Sequence, residues 1–265
     1  MCIRDRFYYN LAFSQKLLKL WHEAVANFQK VLELQPQIKE AYNELGQIYL
    51  HMGQSAKARQ YWQKALEMDH SFSEAAARLA DSYRSENRQL AREELEKVTR
   101  NFENEPLGWY YLGEVYFEAA NFPGAWKAAM KAKELAPASD EARVLLGKLS
   151  LAEKQDGNAR IYFEKAALLN PYNVAALIGV ADIDSRNGNY EKAQSYYQRI
   201  MEIDPQNFDA HHNYAEMLYR QGRMAEALDE FRQAVILNPD SAEVSCNLGI
   251  VLKDCLLYTS PSPRD

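Results

Sequence analysis

The sequence predicts an all-α fold, an α-solenoid of stacked helix-turn-helix units, and a 34-residue repeat is the main reason. Prolines recur at this interval at Pro137, Pro171, Pro205 and Pro239. An alanine recurs with the same period once a one-residue deletion is allowed in the third unit, at Ala24, Ala58, Ala91, Ala125, Ala159, Ala193 and Ala227. Self-similarity at a fixed interval is typical of repeat architectures, in which each unit buries one face on its neighbour.

Each repeat is predicted to be a pair of antiparallel helices. With the proline at position 32 of the frame, small residues stand at positions 8 and 20, so that the two helix backbones can approach closely. Bulky side chains at position 24 fill the space beside that contact, except for Ala129 in the fourth unit. Position 8 holds Ala12, Gly46, Ala80, Gly113, Gly147, Ala181, Ala215 and Gly249, and position 24 holds Phe28, Trp62, Leu95, Phe163, Tyr197 and Phe231.

Glycines and prolines mark where these helices end. Gly53, Gly188 and Gly222 all fall at position 15, where a residue with positive φ ends the first helix of a pair. The proline at position 32 ends the second helix, because the residue before a proline is disfavoured in the α region. The third unit is one residue short between Ser85 and Gln89, and Pro106 is expected to open the helix that follows it.

The repeat resembles the tetratricopeptide repeat (TPR). The second unit carries the family pattern almost fully, as Tyr42, Leu45, Gly46, Tyr49, Ala58, Trp62 and Ala65. The resemblance implies a right-handed α-solenoid of helix pairs. It covers seven units, followed by a partial one, at residues 5–38, 39–72, 73–105, 106–139, 140–173, 174–207, 208–241 and 242–253.

Both ends of the chain break the repeat register. Residues 1–6 and 255–265 resemble translated sequencing-adapter sequence, read from the forward and reverse strands. We expect the native array to be residues 7–253, with 1–6 and the tail 254–265 derived from the adapter. On this interpretation the true N-terminus is missing, and only Cys246 of the three cysteines is native.

Composition argues against several classes of function. The net charge of −6, with no basic stripe, disfavours nucleic acid as a partner. No apolar run approaches the ~20 residues of a membrane span. A lone native cysteine predicts no disulfide, and the chain is compatible with either a cytoplasmic or a bacterial periplasmic location. The sequence does not predict an oligomeric state.

Neither an enzyme active site nor a cofactor site is predicted. The chain has no phosphate-binding glycine loop, no nucleophile elbow and no zinc-protease motif. His211 and His212 with Glu216 are the best metal candidate, but packing explains them better because a metal needs three or four converging ligands. Two acidic pairs are interpreted as solvated or groove-lining carboxylates instead of an acid–base pair, namely Asp182 with Asp184 and Glu114 with Glu118.

The resemblance implies a partner-binding groove lined by positions 2, 5, 9 and 12 of the first helix of each unit. The middle of this groove is predicted to be apolar and its flanks polar, which suits a protein or peptide partner. The apolar strip is Tyr110, Phe117, Val144, Leu151 and Ile178, and the other predicted contacts are Glu114, Lys148, Asp182, His212 and Tyr219. An open alternative is that Tyr110 and Val144 only pack against neighbouring helices.

Two functions follow from this groove. The first is a non-catalytic protein–protein interaction scaffold that binds a peptide or partner segment, for example in a bacterial envelope or polysaccharide-export assembly. The alternative is that the repeats are the substrate-recognition arm of a larger enzyme, such as a glycosyltransferase, whose catalytic domain lies outside this sequence.

Overall fold

A computed structural model describes the backbone of residues 3–259 and the side chains of residues 4–254. In this range the chain forms fifteen α-helices and no strand, which confirms the predicted all-α class. The helices are α1 (Ile3–Leu17), α2 (Trp21–Leu34), α3 (Lys39–His51), α4 (Ser55–Met68), α5 (Ser73–Asp81), α6 (Arg88–Asn101), α7 (Pro106–Glu118), α8 (Phe122–Leu135), α9 (Asp140–Ala152), α10 (Asp156–Leu169), α11 (Val174–Arg186), α12 (Tyr190–Ile203), α13 (Phe208–Arg220), α14 (Met224–Leu237) and α15 (Ala242–Thr259).

The chain divides into two compact units, Met1–Pro137 and Ala138–Asp265. Unit 1 contains the helix pairs from α1 to α8, and its buried side chains form one cluster around Phe28 and Trp62 and another around Leu95. Unit 2 contains the helices from α9 to α15, with clusters around Phe163 and around Tyr197. Each unit is therefore a stack of helix pairs. Within residues 3–259, no helix is both long and apolar enough to span a bilayer.

The turn inside a pair uses a left-handed residue in six of the seven pairs. Gly53, Gly188 and Gly222 have φ of 73°, 78° and 76°, as the glycine pattern predicts. In the other three pairs the same position holds Lys19, Ala120 and Lys154, with φ of 58°, 55° and 60°. A glycine is therefore sufficient for this turn but not necessary, since the stacked helices hold non-glycine residues in a conformation that costs them roughly 1–2 kcal/mol.

The second helix of a pair ends two residues before the repeat proline. α10 ends at Leu169, and the next residue, Asn170, has φ −132° and ψ 96° directly before Pro171. This extended conformation is the one that a following proline favours. The fourth helix ends in the same way without a proline: Asp69 has φ −150° and ψ 100°, and its carboxylate pairs with Lys39 and accepts from Ser71.

The third pair departs from the others, as its missing residue predicts. α5 has only nine residues and is followed by a longer turn before α6. Asn87 begins α6 by accepting a hydrogen bond from the backbone N–H of Leu90. Pro106 is the first residue of α7, a position where its missing N–H and fixed φ are tolerated.

Two of the bulky side chains at position 24, Trp62 and Phe163, lie directly on glycines of the first helices. A Cβ added at Gly46 would lie 2.5 Å from Trp62 Nε1. The Phe163 ring lies between two glycines, because a Cβ at Gly147 would be 2.6 Å from its Cε1 and one at Gly179 would be 2.5 Å from its Cδ2. The frame explains Gly147, at position 8. Gly179 is at position 6 of the next pair, and the 34-residue frame does not predict its contact with Phe163.

The residues assigned to adapter sequence belong only partly to the described chain. Residues 3–6 form the first turn of α1, where Asp5 is buried, and the backbone of residues 255–259 continues α15. Residues 1–2 and 260–265 lie outside the described residues. The adapter origin of both ends stays a prediction.

We predict that Gly179→Ala destabilises unit 2. The new methyl group must displace the Phe163 ring, and overpacking of this kind typically costs ~1–3 kcal/mol. The change is measured as the free energy of unfolding in urea. Phe163→Leu should relieve the clash, so the double variant should lose less than the sum of the two single losses.

The matched control is Gly157→Ala, at the second residue of α10, where an added Cβ would meet nothing within 4 Å. This variant should keep or slightly raise the unfolding free energy, because alanine favours the helix. Equal unfolding free energies of Gly179→Ala and Gly157→Ala would mean that the packing of the Phe163 ring does not require a glycine at position 179.

Candidate partner-binding faces

The first helices of unit 1 carry two of the predicted aromatic contacts. Tyr110 and Phe117 are both on α7 and both partly buried. The Tyr110 ring centroid is 5.4 Å from that of Tyr111, and the Phe117 ring centroid is 6.0 Å from that of Phe122. Each aromatic ring is therefore held by a neighbouring ring and keeps part of its surface open to solvent.

An ionic network lies beside these rings. Arg84, in the turn that follows α5, contacts three carboxylates, with its Nε 3.1 Å from Asp81 Oδ1 and its Nη1 3.5 Å from both Glu114 Oε2 and Glu118 Oε1. Arg88 Nε is 3.0 Å from Glu118 Oε2. Glu114 and Glu118 therefore belong to an ion network, and neither forms an acid–base pair with the other. Asp81 and Arg84 stand at positions 9 and 12 of the third unit, which the family resemblance implies are groove positions. Their contacts with Glu114 and Glu118 depend on how α5 and the turn after it pack against α7.

The carboxyl group of Asp81 is the most perturbed member of this network. Only 14% of its side chain is exposed. Burial raises the pKa of Asp81 to about 6, and Glu114 and Glu118 add to this effect, while Arg84 opposes it. A part of this face therefore changes charge close to neutral pH.

The first helices of unit 2 carry a row of hydrogen-bonded carboxylates. Asp182 of α11 accepts a 2.5 Å hydrogen bond from the Tyr197 hydroxyl and 3.1 Å bonds from the Asn213 amide. Burial raises the pKa of Asp182, and these two donors oppose the rise. One pair further on, the Asn247 amide donates to Glu216 over 3.3 Å. Hydrogen bonds from Tyr197, Asn213 and Asn247 therefore orient the carboxylates of Asp182 and Glu216.

Two small pockets adjoin on this face of unit 2 and share Glu216 and Arg220. The first, of about 270 Å³, is lined by Leu151, Asp182, Ser185, Arg186, Tyr197, Asn213, Glu216 and Arg220. The second, of about 220 Å³, is lined by Glu216, Tyr219, Arg220, Phe231, Asn247, Ile250 and Val251. Tyr219 also donates a 2.7 Å hydrogen bond to Asp254. Three predicted contacts, Leu151, Asp182 and Tyr219, thus line open pockets.

Other predicted contacts lie elsewhere. Val144 is only 5% exposed and packs with Phe163 in the core of unit 2, so its expected place on the partner surface is corrected to a core position. Ile178 is partly buried against the neighbouring hydrophobic cluster, and Lys148 is partly buried on α9. Tyr110 and Phe117 belong to unit 1, and the other three members of the apolar strip belong to unit 2.

Asp184 is neither solvated nor groove-lining, contrary to the sequence interpretation. It is fully buried, and Arg160 donates to its two oxygens over 2.6 and 3.2 Å. The Asn189 amide donates a third bond over 3.0 Å. These donors outweigh burial and lower the pKa of Asp184. Asp184 is therefore a structural ion-pair residue between α10 and α11.

The two adjacent histidines have different partners. His211 Nδ1 lies 2.6 Å from Glu230 Oε2, and its Nε2 lies 3.1 Å from the carbonyl oxygen of Pro205. His212 Nε2 lies 3.5 Å from Glu216 Oε1. Ligand-type atoms of His212, Glu216 and Glu243 all lie within 4.8 Å of one another. The sequence analysis missed Glu243, which is far away in sequence and lies in the first turn of α15.

We predict that Asp81→Asn removes a pH-dependent loss of stability. Between pH ~4 and 6 the folded Asp81 keeps a proton that the unfolded chain has released, so the contribution of Asp81 to the unfolding free energy falls as pH rises through this window. The asparagine variant does not titrate there. Its stability relative to the wild type should therefore increase from pH 4.5 to pH 7.5 in urea unfolding.

Asp229→Asn is the control, because 77% of the Asp229 side chain is exposed. This control should follow the wild type across the pH range. If the unfolding free energy of Asp81→Asn also changes with pH in parallel with that of the wild type, the pKa of Asp81 is not raised in the folded chain.

Known proteins resemble this chain along most of its length. Type IV pilus assembly protein PilF of Pseudomonas aeruginosa is 29% identical over 159 residues, which is 59% of this chain and 63% of PilF. Superkiller protein 3 of Schizosaccharomyces pombe is 26% identical over 181 residues, which is 65% of this chain and 13% of that protein. The chain thus spans under two thirds of the length of each of these relatives.

Solved structures show the same fold. The structure of P. aeruginosa PilF matches with a TM-score of 0.65 and 26% identity, over 80% of this chain and 97% of that chain. The structure of the APC/C hetero-tetramer Cut9–Hcn1 matches with a TM-score of 0.75 and 17% identity, over 87% of this chain and 48% of that chain.

Five family models described as tetratricopeptide repeat match residues 7–37, 40–72, 78–140, 140–173 and 186–245. Together they cover most of the chain, in agreement with the helix pairs and with the small and bulky residues between them. The curvature of stacked repeats creates extended concave surfaces. The chain belongs to the tetratricopeptide repeat family.

Proposed function

We propose that this chain is a non-catalytic interaction scaffold that binds an extended segment of a partner protein on the faces formed by its first helices. The observation that carries the proposal is the pair of adjoining pockets on unit 2. At about 270 and 220 Å³, each is smaller than the ~300–1,000 Å³ typical of small-molecule sites. Openings of this size suit single side chains of a peptide better than a cofactor.

The chemistry around the pockets supports a peptide ligand. Leu151, Tyr219 and Ile250 offer apolar surface, while Arg186 and Arg220 have side chains that are 45% and 49% exposed at the rim. Asp182 is already bonded to Tyr197 and Asn213, so the floor of the first pocket is ordered before any ligand arrives. A fixed site lowers the entropy lost on binding.

Unit 1 supplies a second face of the same kind. Tyr110 and Phe117 are the aromatic anchors, and the Arg84 network forms the polar surround. Aromatic residues in a polar rim dominate many protein interfaces. The likeness to a protein named for type IV pilus assembly supports a partner that is a subunit of a multiprotein assembly.

A protein partner is favoured over nucleic acid. The net charge of the chain is −6, and carboxylates are prominent on both faces. Binding to nucleic acid requires Lys and Arg to neutralise phosphates. The alternative of a recognition arm for a larger enzyme stays a prediction that none of these contacts favours.

We predict that replacing Tyr110 and Phe117 with alanine abolishes capture of the partner by unit 1. Aromatic hot spots cost ~2 kcal/mol or more when truncated, which is roughly a 30-fold loss of affinity for each. The measurement is quantitative mass spectrometry of proteins captured by the tagged full chain from a lysate of the source organism. Circular dichroism and thermal unfolding should show that the variant keeps its helices.

The control is Leu168→Ala with Tyr172→Ala, which removes similar apolar surface away from both faces. These side chains are 81% and 73% exposed and lie at and just after the end of α10. The control should capture the wild-type set of proteins. If the Tyr110 and Phe117 variant also retains that set, unit 1 does not bind through these rings, and the same test on Tyr219→Ala then addresses the unit 2 face.

A further inference from the structure

Two pairs of metal-ligand side chains face each other between α13 and α15. His212 and Glu216 are four residues apart on α13, and Glu243 and Asn247 are four residues apart on α15. Side chains at i and i+4 lie one above the other on the same helix face. Ligand-type atoms of His212, Glu216 and Glu243 lie within 4.8 Å of one another.

The amide of Asn247 lies within this group. Its Nδ2 atom is 3.2 Å from His212 Nε2 and 3.3 Å from Glu216 Oε1. Rotation of the amide by about 180° exchanges its nitrogen and its oxygen. The Asn247 carbonyl oxygen then occupies the position of Nδ2, beside His212 and Glu216. The group then offers one imidazole nitrogen and three oxygen ligands.

The charges of the group favour an added cation. Arg220 Nη2 lies 3.1 Å from Glu216 Oε2, while the other Glu216 oxygen faces His212. Glu243 has no lysine or arginine within salt-bridge distance in the part of the chain that the structure describes. The carboxylate of Glu243 is therefore available to pair with an added cation.

The imidazole is held in place before any ion binds. His212 is 9% exposed, and its ring centroid lies 5.9 Å from that of Phe208 and 6.0 Å from that of Phe231. Glu243 is exposed, so its side chain is free to change rotamer. In a tetrahedral zinc site with bonds of ~2.1 Å, ligand atoms stand about 3.4 Å apart. His212 and Glu216 are already at this separation, and rotation of the exposed Glu243 side chain can supply the remaining approach of up to about 1.4 Å.

We propose that His212, Glu216, Glu243 and Asn247 form a binding site for one divalent transition metal ion, with Zn²⁺ as the best fit. Imidazole nitrogen favours zinc and its neighbours in the transition series, whereas Mg²⁺ and Ca²⁺ prefer sites made of oxygen alone. The site joins α13 to α15, so a bound ion adds a link between the last helices of unit 2. This goes beyond the scaffold function, because the site needs no partner protein.

The test is calorimetric titration of the full chain with Zn²⁺, and with Mg²⁺ and Ca²⁺ in parallel. We expect one Zn²⁺ per chain and no heat of binding with the other two ions. Glu243→Gln should weaken zinc binding by about 10-fold or more, as loss of an important group at a metal site does. Glu243 is exposed, so this variant should fold, and circular dichroism checks it. Zn²⁺ should also raise the melting temperature of the wild type but not of the variant.

Two further variants separate this site from other zinc ligands. Cys246→Ser removes the exposed thiol beside Asn247 and should leave zinc binding unchanged. Glu202→Gln, on an exposed residue of α12, is the matched control for the glutamate change and should bind like the wild type. The proposal is overturned if the wild type binds no Zn²⁺, if Glu243→Gln binds it as well as the wild type, or if Cys246→Ser alone abolishes binding.

Discussion

Close contact between a bulky side chain and a glycine or alanine backbone is the constraint on which the rest of each unit depends. Trp62 lies on Gly46, and Phe163 lies between Gly147 and Gly179. These contacts leave no room for a Cβ, so they fix the distance between the helices as well as the residues that face each other. The same side chains join one pair to the next, since the Phe163 ring touches the first helix of both its own pair and the following one.

The side of each first helix that faces away from its second helix does not take part in this contact, and it carries polar groups. Carboxylates can be buried there only where donors reach them, because an unpaired buried charge is strongly destabilising. Asp182 accepts hydrogen bonds from Tyr197 and Asn213, whereas Asp81 has only an ion pair with Arg84, and its pKa is raised. The donors often come from the neighbouring pair. Stacking of the pairs therefore creates both the core and the ordered polar faces that we propose as binding surfaces.

The 34-residue period predicts the helices well because it reports contacts that repeat in every pair. It places the left-handed turn at Gly53, Gly188 and Gly222, and the end of α10 before Pro171. It does not predict the same turn at Lys19, Ala120 and Lys154, where tertiary packing overrides the preference of the residue. The period does not predict the role of Gly179, because this glycine makes room for Phe163, a side chain of the preceding pair.

Candidate site residues were harder to predict than helices, for a related reason. The groove positions of the family include Val144, whose side chain is in the core, and they do not reveal that Glu243 lies beside His212. Such contacts join residues about thirty positions apart and depend on the angle between successive pairs. Charge and periodicity in the sequence give no direct measure of that angle.

The most direct test of this account is native-state hydrogen exchange of Ala193→Leu. Ala193 is fully buried among Leu177, Tyr197 and Tyr214, so a leucine there must push the helices of its own pair apart. If stability is a sum over neighbouring pairs, exchange should accelerate in α11 to α13 and stay unchanged in α1 to α8. A uniform acceleration over all helices would contradict the account, because it would mean that the chain unfolds as one cooperative core.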